Sequence, residues 1–390
     1  MKESQGKSAN REIICMPTSL KLFRFYGVFP EADEILKPGK KFFIKFALMA
    51  LLSSLTLIGS STHLIKAIKD DSYNHLELDL TYILSMTASY GMICYYIAKM
   101  STVVELYLFF SEFEELGKPA DFDEINQKFG KYSKYHYCYL ESLMMTILLG
   151  SNIFKGKQCR SENEMKGLHE VCGLFSYTWM PFNIDYFPVK QIYLIIQLFG
   201  VHYIYMVAGQ GAWIFLETTE HILVRIRHVA YLFDEAIKEL DPKERRQKFN
   251  FAVRNHIAVL GLEKKLNDLY SVFMFTHIVM TSFIMGFGVY AYMKDRNISS
   301  FILSFAWFIG LFMDSHSGQR IQDESLAVGT TLYNADWSHC EKQLKKDIMF
   351  VLMRCQQPLV FKADPFGNMD HCIFLAVVKA SYSYLTILSR

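Results

Sequence analysis

Seven windows of about 20 residues, nearly free of charge and separated by short charged segments, constrain this chain more than any other feature of its sequence. A hydrocarbon core about 30 Å thick is crossed by about 20 helical residues, so each window is long enough to span it. The windows fall at 42–65, 78–98, 135–154, 191–216, 269–292, 298–317 and 366–388. A soluble fold would have to bury all seven in one core, and lipid is the simpler solvent. The third window is the most diluted, by Glu141 and several Tyr, and the sixth ends in Asp314, Ser315 and His316. The expectation is an all-α integral membrane protein with seven transmembrane helices, targeted by its first span because no early apolar run precedes a cleavage site.

Basic residues are held on the cytoplasmic side of a membrane, which orients the chain. Residues 1–41 and the segments 99–134, 217–268 and 318–365 carry 29 Lys and Arg, against 10 in the segments on the other side. This predicts a cytosolic amino terminus and an external carboxyl terminus. The sequon Asn297-Ile298-Ser299 then lies outside, where glycosylation is chemically possible although the membrane is close. Of eight Cys, only Cys159 and Cys172 fall in an external segment, which predicts a disulfide between them.

The cytosolic segments carry helical patterns of their own. Ile222, Ile226, Val229, Phe233, Ala236 and Leu240 recur at steps of four and three, with Arg225, Arg227, Glu235 and Glu239 assigned to the opposite face, which is expected to meet water. Leu344, Ile348, Val351, Leu352 and Cys355 form a second stripe. Such helices predict a cytosolic bundle, packed within the chain or between subunits. Asp364-Pro365 reads as the cap and first residue of the last helix. The predicted organisation is a cytosolic amino-terminal segment (1–41), spans one to six with their extensions (42–317), anchor helices (318–365) and a last helix (366–390).

Enzyme chemistry finds no support. There is no Cys-x-x-Cys, no His-Glu-x-x-His, no Walker loop and no Gly-x-Ser-x-Gly elbow, and nothing in the sequence calls for a cofactor or a metal. Lys and Arg number 41 against 39 Asp and Glu, so no basic field for nucleic acid exists. Gly286-Phe287-Gly288 and Gly209-Gln210-Gly211 sit in apolar spans, where close helix packing is the better explanation. Charged residues within the spans are few, chiefly Glu141 and Lys379, which weighs against a proton-coupled transporter.

The stretch Gly329-Thr330-Thr331-Leu332-Tyr333-Asn334-Ala335-Asp336-Trp337, the Gln356-Gln357-Pro358 after the second amphipathic helix, and the ending VVKASYSYLTIL (Val377 to Leu388) resemble the insect odorant receptors. That resemblance implies a ligand-gated, non-selective cation channel of four subunits, in the plasma membrane of olfactory sensory neurons. A variable odorant-binding subunit would assemble with a shared co-receptor. The small volatile ligand would sit in the outer halves of spans two to six, the last helix would line the pore, and the anchor would join subunits. A gustatory receptor shares this logic but not the ending, and a G-protein-coupled receptor would have the opposite orientation.

Residues compatible with such a ligand site are apolar and aromatic with few polar handles. They are Ile147, Gly150, Ser151 and Phe154 in span three, Gln197 and Val201 in span four, and the stripe Phe301, Phe305 and Phe308 in span six. For the pore, Ser381, Leu385 and Ser389 share a face, with hydroxyls flanking a Leu that could close the path by dewetting.

Overall fold

A computed structural model describes residues 12–35, 38–70, 76–150, 156–167 and 170–389. Within them the chain is all-α. A short amino-terminal helix, α1 (Pro17–Phe25), precedes α2 (Lys40–Lys69), α3 (Leu76–Ala98), α4 (Met100–Phe110) and α5 (Phe122–Gly150). Then follow α6 (Gly156–Lys166), α7 (Val189–Lys238), α8 (Pro242–Leu260), α9 (Leu262–Asp295), α10 (Ile298–Asn334), α11 (Lys342–Cys355) and α12 (His371–Leu388).

Each of the seven apolar windows falls on one of α2, α3, α5, α7, α9, α10 and α12. Five of these helices, α2, α7, α9, α10 and α12, are by themselves long and apolar enough to cross a membrane. α3 reaches that standard only together with α4, from which it is bent by 68°. α5 falls short for the reason visible in its sequence: Lys131, Lys134, His136 and Glu141 interrupt its apolar run. Glu141 has a partner, His202 on α7, at 3.1 Å.

α7 is the centre of the fold, packed against α2, α5, α8 and α10, while α9 packs against α3, α10 and α12. Its 50 residues make a rod about 75 Å long at 1.5 Å per residue, more than twice what lipid requires. The amphipathic stretch from 222 is therefore the continuation of span four, and α10 likewise runs past its span to Asn334. Ile222, Ile226, Val229, Phe233 and Ala236 are buried along the stripe, whereas Leu240 lies beyond the helix end and is 82% exposed. Leu344, Ile348 and Cys355 of α11 are buried, with Val351 and Leu352 at the edge of its contact with α10.

Two sequence expectations are corrected. Arg225 does not face water: it is 2% exposed, and its guanidinium donates to the carbonyls of Phe109, Phe110, Glu112 and Gly117. The last helix does not start at Asp364-Pro365. Those residues form a turn in which Ala363 N–H donates to the Gly367 carbonyl, and Gly367 adopts φ +97°, a left-handed conformation that glycine tolerates. The true cap is Asp370, whose carboxylate accepts from the N–H groups of Cys372 and Ile373 at 2.8 and 3.0 Å.

The glycine pairs divide. A Cβ on Gly288 would lie 1.9 Å from Ser304 Oγ, and one on Gly286 would lie 3.1 Å from Tyr384 Cβ, so α9 meets α10 and α12 through them. Gly209 presses on Leu140 of α5, but Gly211 faces open space.

Candidate functional site, a cavity among five helices

An apolar cavity of about 130 Å³ lies between α3, α5, α7, α9 and α10. For scale, an apolar cavity of about 150 Å³ admits benzene. Its walls come from Ser89 and Met92 on α3, Leu140, Leu143, Met144 and Ile147 on α5, and Tyr205, Met206 and Gly209 on α7. Phe273 and His277 on α9 and Leu303, Ala306, Trp307, Gly310 and Met313 on α10 close it. A smaller space of about 30 Å³ adjoins it, sharing Met92, Ala208 and Phe273. Phe273 and His277 lie in the part of the fifth window nearest α8, so the cavity is centred at mid-bundle and extends toward the anchor. It is not confined to the end of the bundle away from α8, where the loop that follows α6 packs Phe175 and Thr178 against α3 and α7.

That loop explains Gln197. The residue is fully buried, yet its amide serves the loop: Oε1 accepts from Phe175 N–H at 3.0 Å and Nε2 donates to Thr178 Oγ1 at 2.8 Å. The disulfide Cys159–Cys172, with Cα atoms 5.6 Å apart, closes the same region. A broad polar recess of about 540 Å³ at this end is lined by His63, Lys66 and Trp179. His63 bridges Asp79 on α3 at 2.6 Å and Glu170 at 3.0 Å.

Of the other residues singled out in the sequence, Ile147 lines the cavity and Gly150 ends α5 three residues beyond it. Ser151 and Phe154 lie outside the described residues. Val201 is buried in the helix packing and does not reach the cavity. Phe301 and Phe305 are 42% and 50% exposed, and the Phe301–Phe305–Phe308 stack runs along the outside of α10 to Phe374 of α12. The cavity face of α10 is the opposite one, with Leu303, Ala306, Trp307 and Gly310. Its small residues, Ala306 and Gly310, one turn apart beside a Trp, were the signal available for it.

Asn297 caps α10, its Oδ1 accepting from Ser300 N–H at 3.0 Å. On α12, Ser381 is buried toward α9, donating to the Val377 carbonyl at 2.9 Å, while Leu385 is half-buried and Ser389 exposed. The most exposed side of α12 carries Leu375, Lys379, Tyr382 and Ile387.

Missing from any sequence expectation is the polar pair in the cavity wall. His277 Nδ1 lies 2.6 Å from Oδ2 of Asp314, and both side chains are buried. Trp307 packs edge-on to the imidazole at 5.2 Å and donates its own N–H to Ser85 Oγ at 2.8 Å.

Residues 92–382 match the sequence model of the family described as 7tm Odorant receptor. The chain belongs to that odorant receptor family. Among curated members, Putative odorant receptor 85d of Drosophila melanogaster is 27% identical over 140 residues, 35% of this chain and 34% of that protein. Odorant receptor 47b of the same fly is 21% identical over 332 residues, 82% of this chain and 79% of that one. The first of these alignments spans about a third of the relative's length. Among solved structures, the insect olfactory receptor OR5 from Machilis hrabei superposes with a TM-score of 0.78 at 13% identity, covering 95% of this chain and 96% of that one. The odorant receptor fold is thus shared end to end.

Proposed function

We propose that this odorant receptor is the ligand-binding subunit of a ligand-gated, non-selective cation channel, with a small volatile organic molecule bound in the mid-bundle cavity. The observation that carries this is the cavity itself: an apolar space of about 130 Å³ walled by five helices, with only a few polar groups in reach. The Machilis receptor of the same fold has been solved in complex with eugenol, with a TM-score of 0.76 to this chain.

Assembly with the family's co-receptor into a heterotetramer belongs to the same reading. Two apolar surfaces left exposed among the described residues support it, the outward side of α12 and the α11 face with Met349, Phe350 and Met353, which are 60%, 70% and 64% exposed. The excess of basic residues around the anchor supports a cytosolic amino terminus and an external carboxyl terminus, and the odorant receptor family supports residence in the plasma membrane of olfactory sensory neurons.

The test is expression with and without the co-receptor, recording current against an odour panel. Odour-evoked current that requires the co-receptor and is lost in Ala306→Phe, which fills the cavity, is the expected result. Ala306→Phe channels with native odour responses would remove the cavity from the account.

A further inference from the structure

The His277–Asp314 pair narrows what the cavity accepts. Asp314 is fully buried, its Oδ2 faces His277 Nδ1 at 2.6 Å, and its Oδ1 has no hydrogen-bond partner among the described residues. No Lys or Arg side chain is paired with it there. The two groups must therefore balance charge between themselves, because a net charge isolated in an apolar wall is costly.

Two neutral arrangements of the pair leave no donor stranded at Oδ1. In one, a carboxylate accepts from an imidazolium; in the other, a carboxylic acid donates to Nδ1 of a neutral imidazole. Both put a hydrogen on Nε2, since an imidazole that accepts at Nδ1 carries its proton on Nε2 and an imidazolium carries both. A third neutral form, with the acid proton on Oδ1 and Nδ1–H donating to Oδ2, leaves Nε2 bare but buries an Oδ1–H donor that has no acceptor among the described residues, which is costly; otherwise only the arrangement with a net negative charge leaves Nε2 bare.

That Nε2–H has no acceptor among the described residues. The edge that bears it is kept open by Gly310, where a Cβ would stand 3.1 Å from Cε1 and 3.3 Å from Nε2. Both residues line the cavity.

On the reading that odorants bind in this cavity, we propose that His277 donates a hydrogen bond from Nε2 to the ligand. The receptor then favours small apolar molecules bearing an acceptor oxygen, above all ketones and aldehydes, over hydrocarbons of the same shape. A buried donor left unpaired is destabilising, so a ligand without an acceptor forfeits that bond and strands the N–H.

The experiment compares 2-octanone with 2-methyl-1-octene, and acetophenone with α-methylstyrene, pairs in which C=O is replaced by C=CH2. Concentration–response curves are recorded from cells co-expressing the co-receptor. Each ketone is expected to be about tenfold more potent than its alkene. The double variant His277→Leu/Asp314→Leu, which strands no carboxylate, should bring that ratio to about one, while His277→Gln, which keeps an N–H, should retain part of it. Equal potencies in the native receptor, a ratio unmoved in the double variant, or silence of all four compounds would overturn the proposal. If Ala306→Phe left the active odorants untouched, the reading of the cavity would fall as well; if it abolished them while the ratio stayed at one, only the role of His277 would.

Discussion

At the residue scale, burial reverses what side-chain type implies. Arg225 is charged and belongs to a segment past the fourth apolar window, yet it ties α7 to the end of α4 and the loop after it. Burial lowers its guanidinium to about 10, which still leaves it charged at neutral pH. The carbonyls of Phe109 and Phe110 are terminal groups of α4, that of Phe109 accepting otherwise only from the N–H groups of the closing turn, such as Glu112 at 3.3 Å, and a cation there also meets the negative end of the helix dipole. Arg225→Ala is expected to cost about 3 kcal/mol or more, since each carbonyl left unpaired costs about 1–3 kcal/mol. Arg225→Lys should recover only part, because an ammonium lacks the planar fork. Melting in detergent checks both. His256 gives a pH dependence. It packs between Phe233 and Cys355, and burial, with the nearby Arg354 charge adding to it, depresses its imidazole to about 4. A depressed value means that the fold holds the neutral ring, so its contribution is complete above the ordinary value near 6.5 and is lost as pH falls toward 4. Melting temperature should decline over that window, and His256→Leu should flatten the decline.

At the element scale, the faces of α10 and the start of α12 carry the argument. The Phe stripe on α10 turns outward because lipid is as apolar as a protein interior, so a bulky Phe is not driven inward as it would be in water. Phe305→Ala should therefore shift odour potency far less than Ala306→Phe, as dose–response curves would show. The approach to α12 passes Gly318 of α10, where a Cβ would stand 1.9 Å from the Met369 carbonyl oxygen. Gly318→Ala is expected to lower the yield of folded receptor sharply, because the group in the way is backbone and cannot swing aside; fluorescence-detected gel filtration would measure it. Asp370→Ala removes the cap directly before α12 and should cost about 1 kcal/mol.

At the scale of the whole molecule, the surface left uncovered is as informative as the core. Phe350 and Met353 project from the anchor, and Leu385 sits on a helix that touches its own chain mainly through α9. Phe350→Asp should leave the protomer folded but weaken assembly with the co-receptor, read by co-purification. On the proposed channel reading, in which Leu385 forms a hydrophobic constriction, Leu385→Ser should raise ligand-independent current, since a constriction made wettable no longer closes. A ligand opens a channel only by binding the open state more tightly, so cavity variants should move concentration dependence while leaving ion selectivity alone.

The positions of the long helices, the amphipathic stripes of the anchor, the Cys159–Cys172 disulfide and the family were all legible in the sequence. Each rests on local periodicity, length or short motifs. The cavity was less so: Ile147 reached it, but Trp307, Gly310 and the His277–Asp314 pair went unseen and the Phe stripe drew attention to the wrong face of α10. Periodicity tells which residues share a face; in a membrane it does not tell whether that face meets lipid or protein, because both are apolar. Nor does spacing along the chain reveal that His277 and Asp314, on different helices, stand 2.6 Å apart. Only the packing of α9 on α10, brought close by Gly288 against Ser304, decides that.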